Sequence, residues 1–246
     1  MTAYRELAPS GDVYSLVACR WMREAAGEES SDSVLVLPDG CVDLLWREGE
    51  LVLAGLDRTA RSSPVAPGER ILGLRLRPGV AGAVLGMPAS EVLDVHVKLE
   101  DLLGSSASEL AERLAESGGD DEAFDLLEGM VGSQLEDGGP DPLVLAATRR
   151  LGFPGSRIDR LAESLGISDR QLRRRFHESV GYGPKTLDRV LRFRRLVAQA
   201  GAVAAGESDL ARVAADLGYA DQAHMARDCL RLSGLTPVQL AELWSS

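Results

Sequence analysis

Ile158-Asp159-Arg160-Leu161-Ala162-Glu163-Ser164-Leu165-Gly166 and, 52 residues later, Leu210-Ala211-Arg212-Val213-Ala214-Ala215-Asp216-Leu217-Gly218 are two copies of one pattern. Each copy sets an Ala five residues in and a Gly four residues after it. Two helices that cross closely leave room only for a small side chain at the crossing, and glycine accepts the positive φ that a tight turn needs. The repeat therefore predicts two helix pairs, each joined by a short turn.

Working outward, Ser168 is a good N-cap for the second helix of the first pair, with Leu172 and Phe176 facing its core four residues apart. In the second pair Met225 and Cys229 take those places after one inserted residue. Each copy closes alike, with Gly181-Tyr182-Gly183-Pro184 and with Gly234-Leu235-Thr236-Pro237. Proline suits the first turn of a helix, where its missing N–H is not needed. Pro184 is thus expected to open a linker helix running to about Ala200 and joining the two units rigidly.

The preceding residues read differently. Ser33–Leu37, Cys41–Trp46, Leu51–Leu56 and Ile71–Leu76 are short apolar or alternating runs, separated by Pro38-Asp39-Gly40, Glu48-Gly49 and Pro67-Gly68. Gly79–Gly86 reads as a short helix whose Gly82 and Gly86 permit close packing. Ser108–Leu114 and Ala123–Leu135 are helical in period, and Glu136-Asp137-Gly138-Gly139-Pro140 is a linker. The expected class is α+β: a strand-rich domain over residues 1–104, a helical connector and linker over 105–139, and an all-α domain over 140–246.

Length allows each domain a core of its own. Cys19, Cys41 and Cys229 are scattered, which argues for a reducing, cytoplasmic setting and against a disulfide framework. No apolar run reaches membrane-spanning length, and the N-terminal residues lack the pattern of a signal peptide. The net charge of −11 is unevenly placed: residues 1–139 carry −15 and residues 140–246 carry +4. Within 168–195, nine Lys and Arg stand against three acids. A polyanion responds to that local patch, because screening over roughly 8 Å hides a distant acidic domain.

These motifs resemble the AraC/XylS family of transcription regulators. The resemblance rests on Leu161-Ala162-x3-Gly166, Ser168-x3-Leu172-x3-Phe176-x4-Gly181-x2-Pro184, Arg192, Ala214-x3-Gly218-Tyr219-x-Asp221-Gln222 and Gly234-x-Thr236-Pro237. It covers roughly residues 140–240. Cys229 stands where the family usually has phenylalanine, and Ala220 where it often has a capping serine. Leu37–Leu44 and Arg75–Gly79 look like the short N-terminal domain of some actinobacterial-type members. The resemblance implies double-stranded DNA as partner and a sequence-specific regulator, controlled by a small-molecule effector or by homodimerisation through the N-terminal domain. RNA polymerase would be a further partner of an activator.

With Leu172 and Phe176 inward, Arg170, Arg173 and Arg174 project outward from the N-terminal half of a reading helix, and they match the family's base-contacting positions. Arginine pairs bidentately with guanine O6 and N7. In the second unit Gln222, His224 and Arg227 occupy the corresponding surface. His224 is read either as base-facing or as half-buried behind Met225, and Asp221 and Asp228 are expected to cancel positive charge there. Lys185 and Thr186 begin the linker helix, where free N–H groups favour a phosphate. Arg192 and Arg195 are the remaining phosphate candidates, with an internal salt bridge as the alternative for Arg192.

Chemistry for catalysis is missing from the pattern. His96, His177 and His224 share no metal-ligand spacing with the cysteines, and no GxSxG, GxxxxGK[ST] or strand-borne GxGxxG occurs. No enzyme, cofactor or metal site is expected. The alternative from another class is an architectural DNA-binding protein that senses nothing. An apolar pocket within residues 1–104 with a few convergent polar groups would favour sensing, and a filled core the alternative.

Overall fold

The computed structural model describes residues 3–25, 32–134 and 138–243. Among the described residues the N-terminal half contains eight strands: β1 Ala3–Leu7, β2 Val17–Glu24, β3 Asp32–Val36, β4 Val42–Arg47, β5 Glu50–Ala54, β6 Arg61–Val65, β7 Arg70–Leu76 and β8 His96–Lys98. Six form an antiparallel sheet in the order β1-β2-β7-β4-β5-β8, and β3 pairs with β6 as a separate ribbon. Period-two alternation along β7 decides the two faces. Leu72, Leu74 and Leu76 point to the main core, while Ile71 joins Cys19, Trp21, Leu45 and Val65 under the ribbon.

The four expected runs appear as β3, β4, β5 and β7. The strands β1, β2, β6 and β8 are additional. In β2 the basic side chains that interrupt the apolar pattern have specific partners. Arg20 is bound through Nε to Glu128 Oε1 at 2.7 Å, and Arg23 stacks 5.1 Å from the ring centre of Tyr4.

Helices α1 Ala81–Leu85, α2 Glu100–Leu103, α3 Ser105–Glu116 and α4 Asp120–Ser133 follow. The expected short helix and the two helical stretches are therefore present, although Leu135 and the linker residues Glu136 and Asp137 lie outside the described residues. Both α3 and α4 pack on the sheet through Ala107, Leu110, Leu114, Phe124, Leu127 and Val131. The buried Glu128 anchors α4. Burial opposes its charge, but hydrogen bonds from Arg20 and from the Ser10 amide (3.0 Å) hold its carboxyl below the usual range.

The C-terminal half comprises α5 Pro142–Leu151, α6 Leu161–Ser164 (entered through a 3-10 turn), α7 Asp169–Ser179, α8 Pro184–Ala204, α9 Leu210–Asp216, α10 Gln222–Ser233 and α11 Pro237–Glu242. The linker helix α8 starts at Pro184 as expected and runs one turn beyond Ala200. Helix α5 was not anticipated. Its start is set by Asp141, whose side chain accepts from the Leu143 amide at 2.9 Å, and by Pro142 in the first turn.

One apolar core runs without a break from the sheet face through both helix pairs, from Leu44 and Leu74 to Phe176, Phe193 and Met225. The halves approach most closely at glycines. A Cβ on Gly82 of α1 would lie 2.5 Å from the carbonyl oxygen of Glu178 in α7. Gly181 takes φ +85°, and a side chain there would meet Leu56 Cδ1 at 2.6 Å and Ala89 O at 2.9 Å. Of the two glycines expected to pack closely, Gly86 has open space around it and serves as the left-handed C-cap of α1. Farther along, the Ala60 amide in the β5–β6 loop donates to Leu232 O in α10 at 2.6 Å.

A methyl group at position 82 must therefore push two backbones apart. Gly82→Ala is expected to destabilise the chain by about 1–3 kcal/mol, the usual effect of overpacking, lowering Tm by roughly 2–10 °C for a chain of this size. Gly129→Ala, at an open position inside α4, should instead raise Tm slightly through helix propensity. Thermal unfolding of the two variants checks both signs.

Candidate nucleic-acid interface

The two turns share two equivalent hydrogen bonds. In the first, the Gly166 amide donates to Glu163 O at 3.0 Å and the Ile167 amide to Ala162 O at 3.1 Å. In the second, the Gly218 amide donates to Ala215 O at 3.0 Å and the Tyr219 amide to Ala214 O at 2.9 Å. Gly166 and Gly218 adopt φ of +69° and +75°, and Ala162 and Ala214 are buried at the crossings. Both pairs are helix-turn-helix units.

The second helix of the first unit is α7. Ser168 caps it in a reciprocal box, with the Gln171 amide donating to Ser168 Oγ at 3.3 Å and the Ser168 amide to Gln171 Oε1 at 2.9 Å. Leu172 and Phe176 are buried, so the opposite face carries Arg170, Arg173, Arg174 and His177 into solvent. Arg170 and Arg173 have no partner among the described residues. Arg174 lies 3.9 Å from Glu178, an exposed pair that holds it only weakly.

In the second unit Met225 and Cys229 are fully buried, with Cys229 Sγ 3.7 Å from Ser233 Oγ. Ala220 provides no side-chain cap. Asp221 does so instead, its carboxylate accepting from the His224 amide at 2.6 Å. Gln222 and Arg227 are exposed. His224 is half-buried, packed edge-on to Tyr219 at 5.3 Å, with Nε2 3.6 Å from Asp228. Contrary to the expected cancellation of surface charge, Asp228 points inward to Arg189 at 3.2 Å. Of these two acids, Asp221 remains on that surface.

Among the phosphate candidates, Lys185 is exposed in the first turn of α8 and Thr186 is half-buried. The Thr186 amide already donates to Gly183 O at 3.0 Å. Arg192 and Arg195 turn inward. Arg192 pairs with Asp188 one turn back, donates to Gly218 O at 3.4 Å and lies 5.0 Å from the Tyr219 ring centre. Arg195 donates to Gly152 O at 2.8 Å and Leu151 O at 3.4 Å, and burial lowers its pKa. Arg175 bridges to Asp141 at the start of α5. Of the nine basic residues between 168 and 195, Arg175, Arg189, Arg192 and Arg195 hold the fold together. Arg170, Arg173, Arg174, Lys185 and Arg194 remain exposed to a partner. The spacing of Asp188 and Arg192, four apart on one helix, was a legible sign of the internal pair.

Residues 161–242 match a family model described as a helix-turn-helix domain, and residues 5–98 match a domain of unknown function, DUF6597. No curated protein matches the chain. Solved structures of ToxT from Vibrio cholerae match along nearly the whole length. One is 11% identical over 100% of this chain and 98% of that chain, with a TM-score of 0.45. Another, of unsaturated fatty acid bound ToxT, is 10% identical over 98% and 94%, with a TM-score of 0.40. The repeated turns, the linker helix and the family match agree: this chain carries an AraC-type helix-turn-helix domain at its C-terminus, behind a strand-rich N-terminal domain.

Proposed function

We propose that the chain is a non-enzymatic, sequence-specific DNA-binding regulator of transcription, and that α7 supplies most of its base reading. The observation that carries this reading is the outward face of α7. Arg170 and Arg173 stand free on the N-terminal half of a rigidly capped helix, beside a loosely held Arg174. A helix entering the major groove presents that half to base edges. The second unit contributes Gln222 and Arg227, while His224 steadies its turn. With two reading helices fixed to one linker, the half-sites should lie about 34 Å apart on one face of the duplex.

Selection of bound sites from random duplex, followed by competition with single-base variants, tests the assignment. A bidentate arginine–guanine pair discriminates by about 1–3 kcal/mol. Arg173→Ala should therefore lower affinity for the selected site by roughly 5- to 150-fold, relax the guanine preference at one or two positions and leave random duplex nearly unaffected. Parallel losses on every sequence would mark the side chain as a phosphate contact and point to an architectural protein.

Salt dependence separates outward from inward cations. Lys185→Ala should flatten the log–log salt slope by about 0.9, the contribution of one phosphate. Arg195→Ala should leave the slope unchanged and lower Tm, because its donors are committed to the end of α5. A flattened slope for Arg195→Ala would place that side chain on the backbone of the duplex.

A further inference from the structure

The loop Gly152–Arg157, between α5 and α6, holds an apolar ring out in solvent. Phe153 is 70% exposed, more than any other large apolar side chain among the described residues, and Pro154 beside it is exposed as well. A lone exposed apolar residue is ordinary on a protein surface, but this one sits on a fixed tip. The Phe153 amide donates to Arg150 O at 3.1 Å, Ser156 Oγ to Phe153 O at 2.8 Å, and Arg195 of α8 to Gly152 O at 2.8 Å. Gly155 then turns the chain with φ +76°.

Beside the ring lies an open hollow of about 370 Å³, with Leu151 and Leu161 at its floor and Arg150, Arg157 and Arg160 at its rim. All three arginines are exposed, and no carboxylate lines the hollow. Arg150 donates to Ser164 O at 3.3 Å, and Arg157 pairs with Asp159 at 2.7 Å. On an open surface such ties are weak enough for a phosphate to replace. An apolar floor between guanidinium groups matches the wall of a duplex groove, where deoxyribose rings alternate with phosphates.

The place of the loop in the fold selects the groove. It feeds directly into α6, the first helix of a helix-turn-helix unit, and such a helix crosses the duplex backbone. On its other side it meets the second unit: a Cβ on Gly218, in the turn ahead of α10, would lie 3.7 Å from the Gly155 amide nitrogen. The loop therefore stands between the two units. When α7 and α10 occupy successive major grooves on one face of a duplex, the groove between them is the minor groove. With both units engaged, the duplex passes over this place and shuts out a protein partner.

We propose that the Gly152–Arg157 loop enters the minor groove between the two half-sites, with Phe153 and Pro154 against sugars and base edges and Arg150, Arg157 and Arg160 on the flanking phosphates. The inference rests on the DNA-binding reading and adds a second kind of recognition to it, that of the spacer. Guanine carries its N2 amino group into the minor groove, and A·T pairs present no such donor there. Against an apolar tip that donor loses its water and gains no acceptor, so a spacer of A·T pairs is preferred.

The probes are duplexes with the selected half-sites and spacers of A·T, G·C or inosine·C pairs. Inosine lacks the N2 amino group and keeps the major-groove edge of guanine. The full chain should bind the A·T and inosine spacers about fivefold or more tightly than the G·C spacer. Phe153→Ala should bind all three alike, while keeping the guanine preference at the half-sites and shifting Tm by less than about 2 °C. Equal binding of inosine and G·C spacers by the unsubstituted chain would overturn the proposal. So would a Phe153→Ala chain that keeps the discrimination; if it also lowers transcription by RNA polymerase, the ring is a protein contact. A random pool that yields no preferred half-sites would defeat the regulator reading instead. The loop is then judged on plain duplexes of alternating G·C or inosine·C pairs, where Phe153→Ala must still abolish the preference for inosine.

Discussion

The separation of α7 and α10 is held by the arginines of α8, and the rest of the C-terminal half is arranged around that constraint. Arg195 reaches back to the carbonyl end of α5. Arg192 reaches forward to the turn of the second unit, and Arg189 to Asp228 within α10. Asp228 is buried, so solvent competes poorly for the bond from Arg189, while the bonds to Gly152 and Gly218 lie nearer the surface. A linker carrying a single tie would let the units rock. Three ties along one helix convert a repeat into a gauge of fixed length, as the proposed engagement of successive grooves of a duplex requires.

The N-terminal half is docked by shape more than by charge. Gly82 and Gly181 let backbone meet backbone or apolar side chain at distances no other residue tolerates. Gly40 (φ +83°), in the Pro38–Cys41 turn, lies close against Tyr182 and Leu187. Arg75 binds Asp39 and Asp43 on the sheet side of that same turn. Burial raises the pKa of Asp43, and Arg75 works against that shift. The loop that meets the linker helix is thereby tied to the middle of the sheet. Interiors packed to this density transmit displacement, so the sheet and the helix-turn-helix units are mechanically coupled.

Much of this was legible in the sequence where the cause is local. The Ala and Gly of each repeat, the Ser168 cap and the inward pair Leu172 and Phe176 depend on neighbours within a few residues, and the structure places them as the spacing predicts. Strand β2 was hidden because Arg20 and Arg23 interrupt its alternation, and their partners lie on α4 and β1, far away in sequence. The roles of Arg175 and Arg195 were hidden for the same reason, since nothing near them in the chain announces Asp141 or the carbonyls of Leu151 and Gly152. The surface that residues 168–195 offer a polyanion is therefore smaller than their nine basic residues imply. The Asp221 cap is legible from its place just ahead of α10.

The hydrogen bond from Ala60 to Leu232 has a kinematic meaning. The sheet domain grips the first unit at Gly82 and Gly181 and the linker at Gly40, the first unit grips the linker, the linker grips the second unit, and the second unit returns to the sheet domain through that amide. Four bodies joined end to end in a ring cannot move pairwise. Any rotation at one joint must be shared out among the other three, and the ring admits only those motions in which all four agree. Opening the Ala60 contact would turn that ring into an open chain and leave the second unit held by the linker helix.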